Sequence, residues 1–402
     1  LVGSEMCIRD SNNTSLHGMC RNGDIMIVRK PHYYDEFRCT ASKCSDNCCR
    51  GGWLIELDKK TEDYYRSLGG SIGRRITDSL ITDEDGDTCF RLADGQCPHL
   101  DAEGLCSICV SLGEEHMGVV CREFPRYSLT YVQNGTEVTE HGVGLACEAA
   151  EALILFDEGK LCITDTGTEE TEEAGEQNNC EEADTCEKMG DSEETDAGML
   201  LAARADIINI LEDRTRPVKS RISDVLEYAV SLQEKINEEP EEYELETSGD
   251  AADNCILLFD IYDGLEQLNS SWEEWSSLVR QTIFEEDGFM KLTDELCSII
   301  PDYELLMENL MKYFIFRYYM KAVWDCNQLD KVKFAAACCL IIRQMLAALA
   351  GKQNGGVTRE DIIKLVRVFS RQVEYSEDNV EAVCEEFLFG DELSAGNLRN
   401  MF

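Results

Sequence analysis

Residues 39–49 read CTASKCSDNCC, four cysteines in eleven residues with the last two adjacent. The thiols are there to crosslink, to hold a metal or iron–sulfur centre, or to do redox chemistry. The chain has 21 cysteines in 402 residues, and ten of them lie between Cys39 and Cys147. No basic, apolar and small-residue series that would make a secretory signal stands at the start, so the expected location is the cytosol, where thiols stay free or bind metal. The opening LVGSEMCIRDS reads as translated sequencing-adapter sequence, with Met19 or Met26 as the expected start.

Charge narrows the partners. With 80 acidic against 37 basic residues the formal net charge is −43, which repels nucleic-acid phosphates and anionic membrane surfaces and suits a basic or lysine-bearing protein partner. The most apolar run, FAAACCLIIRQMLAALAG at 334–351, is interrupted by Arg343 and Gln344 and is expected to be a buried helix, not a membrane span.

The expected fold is mainly α: a small cysteine-rich metal-cluster domain followed by an all-helical domain. Residues 1–25 are set aside as a leader, 26–162 form the cysteine-rich domain, 163–198 an acidic disordered linker or insertion, and 199–402 the helical domain. The linker rests on Asp165–Asp196, which holds fourteen acidic residues and a single lysine, Lys188, with almost no large apolar side chain. About seven helices are expected from the three- and four-residue apolar spacing of LLAARADIINILEDR, ADNCILLFDIYDGLEQL, YELLMENLMKYFIFRYYMKAVW, KFAAACCLIIRQMLAALAG, TREDIIKLVRVFSRQVE and NVEAVCEEFLF. Thr358 is placed to cap one of them, with Glu360 and Asp361 favourable in its first turn. The later cysteines, such as Cys255, Cys297, Cys326, Cys338, Cys339 and Cys384, read as small buried apolar residues.

After the first cluster the thiols continue in CPHL, GLCSIC, CREFPR and LACEAA. Only Cys106 and Cys109 form a CxxC pair, which is a poor match to a zinc ribbon. Cys48 and Cys49 are adjacent and point apart, as corners of a polynuclear centre or of two sites would. A four-iron cluster needs four converging thiolates, and Arg38, Arg50, Arg122 and Arg126, next to cysteines in sequence, would offset its charge. His99 is the histidine placed to complete a zinc site instead. The spaced glycines of GGSIGRR (69–75) and GVG (142–144) follow no clear buried strand and read as turns, so no nucleotide loop is identified.

The strings FRCTASKCSDNCCRGGWLIELD, QCPHLDAEGLCSICVSLGEEHMGVVCREFPRYS and LACEAAEALI, with NLMKYFIFRYYMKAVW and VFSRQVEYSEDN in the helical half, resemble the flagellin lysine-N-methylase family. The resemblance implies methyl transfer from S-adenosylmethionine to lysines of flagellin before export. It also implies an iron–sulfur cluster, [4Fe-4S] or in its place zinc, on Cys39, Cys44, Cys48, Cys49, Cys97, Cys106, Cys121 and Cys147. Cys109 is an extra thiol relative to the family, and Tyr375 stands where relatives tend toward His. Catalytic residues and the adenosylmethionine site are not assigned. The aromatics Tyr313, Phe314, Phe316, Tyr318 and Tyr319 offer either a wall for a lysine channel or plain core. The alternative to an enzyme is a non-catalytic interaction protein stabilised by zinc or a cluster.

Overall fold

A computed structural model describes residues 26–51, 53–83, 86–167, 197–241, 243–268, 270–284, 289–300, 302–354, 356–389 and 391–402. The leader and most of the acidic segment lie outside these residues.

The stretch RYSLTYVQNGTEVTEHGV alternates polar and apolar residues on both sides of Asn134-Gly135. Both turn residues have positive φ, 51° and 76°, the pair of conformations that a two-residue hairpin requires. Two strands result, β4 (Arg126–Gln133) and β5 (Thr136–Val143), paired from Gln133↔Thr136 to Arg126↔Val143. With β1 (Ile27–Pro31), β2 (Leu80–Thr82), β3 (Thr88–Phe90) and β6 (Ile163–Gly167) they make up two sheets, one ordered β4-β5-β1-β6 and the other β2-β3. β1 runs parallel to β5 and antiparallel to β6. The pattern reading has no strand in it, and it gave 163–167 to the linker. Those residues form an edge strand because β1 supplies the backbone partners and Arg29 takes Asp165 as a two-point ion pair at 2.7 and 2.9 Å.

The large sheet is bound to the helices by a buried charge network. Arg204, on the helix Ala197–Leu211, donates to both oxygens of Glu140 on β5 at 2.7 and 2.6 Å. Tyr131 on β4 donates to Glu140 at 2.8 Å, and Arg29 on β1 donates to the Tyr131 hydroxyl at 2.8 Å. Leu129, Tyr131, Val138 and Val143 accordingly share one core with the helical residues.

A second, smaller core gathers Ile55, Leu57, Tyr65, Ile76, Phe90, Cys97 and Ile108. The helices Lys59–Ser67, Gly70–Asp78 and Ser107–Leu112 and the β2–β3 pair build it. The cysteine-rich half therefore contributes to two cores, its strands to the large one and its central part to the small one.

All six segments quoted for the helical half are helical. Further helices that the periodicity did not single out are Val218–Asn237, Ser270–Val279, Phe289–Ile299 and Ala395–Met401. The helix Arg359–Val373 starts with the expected Thr358 cap, closed into a reciprocal box by Asp361. Among the described residues one helix, Gln328–Gln353, is long and apolar enough to cross a membrane, and 94% of that stretch is buried inside the protein. Its two polar interruptions bond internally, Arg343 to the Met401 carbonyl at 2.6 Å and the Gln344 amide nitrogen to that of Cys255 at 3.2 Å. Cys255, Cys338 and Cys339 are buried as expected, whereas Cys297 is exposed and Cys326 and Cys384 are intermediate.

Candidate active site

The loop that carries Cys44, Cys48 and Cys49 rests against the helix Arg359–Val373. Asp46, between those cysteines, sits 2.9 Å from Arg367 Nε and accepts from Arg371 at 2.9 Å. Arg367 also reaches Glu148 at 3.4 Å and Glu151 at 3.6 Å on the helix that follows Cys147. A seam of charge thus joins the thiol loops to the helical half.

The thiols fall into two groups. In the first, Cys49 hydrogen-bonds to both Cys48 and Cys97, and Cys121 and Cys106 stand within electrostatic range of Cys97. In the second, Cys147 neighbours Cys44 and Cys39, and the extra thiol Cys109 also senses Cys39. The sequence set of eight thus lies as five and three, bridged by Cys109, which interacts with Cys106 on one side and Cys39 on the other. Backbone N–H groups aim at several of the sulfurs: those of His99 and Leu100 at Cys97, of Ile108 and Cys109 at Cys106, and of Ala149 and Ala150 at Cys147. Such donors stabilise thiolate, the form in which cysteine binds metal.

Acidity differs across the first group. Its hydrogen bond to Cys49, with the Arg371 guanidinium beyond, pulls the Cys48 thiol down to about 7 against the effect of burial. Cys49, hydrogen-bonded to two sulfurs, is pushed up, and burial does the same to Cys121. Among the described residues no three His, Cys, Asp or Glu side chains already stand at metal-coordinating spacing. The chemistry of the donor set fits a soft metal centre: five thiols, N–H groups directed at sulfur and a nearby cation.

The cations near these thiols are not the ones adjacent in sequence. Arg38 donates to the carbonyls of Asp35 and Phe37, Arg122 pairs with Glu123, Arg126 lies over the Phe37 ring, and Arg50 is exposed. Arg367 and Arg371 take the role from more than three hundred positions along the chain. His99 is buried beside Phe90 with Nε2 2.9 Å from the Ser79 hydroxyl, and burial, with Arg75 nearby, lowers it to about 4. GGSIGRR is no turn but the start of the helix Gly70–Asp78, and GVG is the end of β5 and the residue after it.

Next to the thiol loop the seam deepens into a polar box. Glu374 Oε2 accepts from Tyr313 at 2.8 Å and Tyr318 at 3.2 Å, and Arg317 lies 3.2 Å from the same oxygen. Arg317 also donates to the Tyr313 hydroxyl at 2.7 Å and covers the Tyr127 ring at 4.5 Å. Of the five aromatics singled out in the sequence, only Tyr313 and Tyr318 face this carboxylate. Phe314 packs edge-on against Phe334 and Phe369, Phe316 lies under Arg204, and the Tyr319 hydroxyl meets Gln328. Outside the box Trp53, Phe124 and Tyr375 group at centroid distances of 6.0 to 6.3 Å, with Arg371 over Trp53. Sequence reasoning missed Glu374, Arg317 and Tyr127, although VFSRQVEYSEDN and NLMKYFIFRYYMKAVW contain the first two.

Glu151 is wholly buried, and neither of its oxygens has a hydrogen bond. Burial raises it well above the ordinary carboxyl value, against the pull of Arg367 and Arg371. At low pH the group is protonated folded and unfolded alike. As pH rises past the ordinary value the unfolded chain releases the proton while the folded one holds it, so stability is lost with rising pH. The melting temperature of Glu151→Gln should exceed that of the wild type by a margin that grows between about pH 5 and about pH 8. A constant margin would show that Glu151 is charged in the fold.

The profile described as the FliB lysine N-methylase C-terminal domain matches residues 204–401. The flagellar biosynthetic protein FliU of Salmonella muenchen is 32% identical over 144 residues, which is 34% of this chain and 82% of that relative. Proteins named Lysine-N-methylase from Salmonella typhimurium (strain LT2) and Salmonella choleraesuis (strain SC-B67) are each 31% identical over 146 residues, and those alignments span only 35% of either relative. No solved structure matches the chain. By these matches the chain belongs to the flagellin lysine-N-methylase family.

Proposed function

We propose that the protein transfers methyl groups from S-adenosylmethionine to lysine side chains of flagellin in the cytoplasm, before export. One observation carries the reading: the family match over 204–401 includes Tyr313, Arg317, Tyr318, Arg367, Arg371 and Glu374, the whole helical side of the seam. Methyl transfer to lysine is an in-line displacement at a sulfonium carbon and needs the amine neutral. With an ordinary lysine pKa of about 10.4, roughly one amine in a thousand is neutral near pH 7. A seam that removes water from the amine favours the neutral form.

Cys48, Cys49, Cys97 and Cys121, with Cys106 beside them, would hold an iron–sulfur cluster. When bound, the cluster supplies soft-metal crosslinks that fix the cysteine loops. The chain's own residues then do the positioning: Asp46 docks the loop on Arg367 and Arg371, which in turn holds Trp53 against Tyr375.

Flagellin co-expressed with the protein should gain mass in multiples of about 14 Da, confined to lysines. Unmodified flagellin beside intact, metal-loaded protein would favour the non-catalytic interaction role instead.

A further inference from the structure

Two polar atoms of the box have no partner in the chain: Oε1 of Glu374 and the hydroxyl of Tyr127. Both are buried, and the Glu374 side chain is fully so. Arg317 links the two side chains: its guanidinium lies 4.5 Å over the Tyr127 ring and 3.2 Å from the other Glu374 oxygen. Buried polar atoms are normally satisfied; the unmet carboxylate oxygen lacks a donor, and the hydroxyl, which can accept as well as donate, lacks any partner.

We propose that Glu374 Oε1 and the Tyr127 hydroxyl are the two acceptors that hold the N–H groups of the methyl-accepting lysine amine. The proposal rests on the methyl-transfer reading above. A neutral primary amine has two N–H bonds and one lone pair. Two acceptors take the two N–H groups, and the lone pair is left to face the methyl group. The Arg317 guanidinium, paired with Glu374, offsets the carboxylate charge that would otherwise favour an ammonium ion.

The box is rigidly built. Tyr313 and Tyr318 hold the far oxygen of Glu374. The Tyr127 ring lies so close across Gly142 that a Cβ there would sit 2.3 Å from it, and a Cβ at Gly144 would come within 3.1 Å of Arg317. The two glycines of GVG therefore let the tyrosine and the arginine approach the strand. Trp53, Phe124 and Tyr375, all half-buried, give the four-carbon stem of a lysine an apolar surface to lie on. With an adenosyl sulfonium as donor, the N–C bond forms as the S–C bond breaks. The S–C electron pair stays on sulfur as a thioether, and the methylated ammonium gives its proton to water.

Tyr127→Phe is the discriminating variant, because the hydroxyl it removes bonds nothing in the fold. The full-length, metal-loaded protein should keep its melting temperature, metal content and adenosylmethionine affinity, while kcat/KM for flagellin falls about tenfold. Glu374→Gln should lower it further. In parallel, n-butylamine should raise the melting temperature of the wild type more at about pH 10 than at about pH 7, where the amine is protonated, and should do so less for Tyr127→Phe. An active wild type with an equally active Tyr127→Phe overturns this site and leaves the methyl-transfer reading standing. An inactive wild type that n-butylamine still protects, with protection lost in Tyr127→Phe, keeps the amine site and overturns the methyl-transfer reading. Absence of protection in every variant means that the two atoms hold only water, and the proposal falls.

Discussion

Replacing Glu140 with alanine should destabilise the protein by about 3–5 kcal/mol, the usual consequence of breaking a buried ion pair from one side. Glu140 is buried and takes both nitrogens of the buried Arg204, so its loss strands a guanidinium between sheet and helix. Tyr131 loses its acceptor at the same time, and Arg29 keeps Asp165 and the Tyr131 hydroxyl. Burial alone would raise the Glu140 carboxyl, but the charge and hydrogen bonds of Arg204 win and hold it below its ordinary value. Its contribution is therefore present above the ordinary carboxyl range and disappears as pH falls through the folded value. The urea midpoint should drop sharply for Glu140→Ala. For the exposed pair Arg216–Asp224, Asp224→Ala should leave the urea midpoint nearly unchanged. Equal effects would mean that the sheet and the helices do not depend on the buried network.

The second large effect concerns the thiols. Serine at Cys48, Cys97 or Cys121 should remove most of the bound metal and destabilise the cysteine loops, because metal binding contributes on the order of 10 kcal/mol to folding where it is structural. Serine at Cys147, in the other group, should keep most of the metal, and Cys255→Ser and Cys384→Ser should keep all of it. Metal content measured on the anaerobically purified variants decides the point. Uniform loss across Cys48 and Cys147 would merge the two groups into one site, and full retention at Cys48, Cys97 and Cys121 would remove the metal centre from the account.

The helices were legible because each announces itself locally. The cap at Thr358 with Asp361, and the apolar run of Gln328–Gln353, need only their own sequence. The β4–β5 hairpin was equally legible in principle, since Asn134-Gly135 between alternating segments is a strong local signal, and the cysteine-centred reading passed over it. β1 was not legible: it is short, and its partners at 138–140 and 163–167 lie more than a hundred residues away. The same distance hid the polar box. Tyr127, Gly144, Arg317 and Glu374 each look ordinary in their own segment, and only the fold shows that they share a buried carboxylate. Arginines near cysteines in sequence drew attention for the same local reason, whereas Arg367 and Arg371 arrive from the other half of the chain.

The central claim is tested most directly by incubating purified, metal-loaded protein with unmodified flagellin and S-adenosylmethionine carrying an isotope-labelled methyl group, then mapping the label by mass spectrometry. The account predicts label on lysine side chains, with about a tenfold slower appearance for Tyr127→Phe at unchanged metal content. Flagellin free of label, with the protein folded, loaded and saturated with the donor, would contradict it.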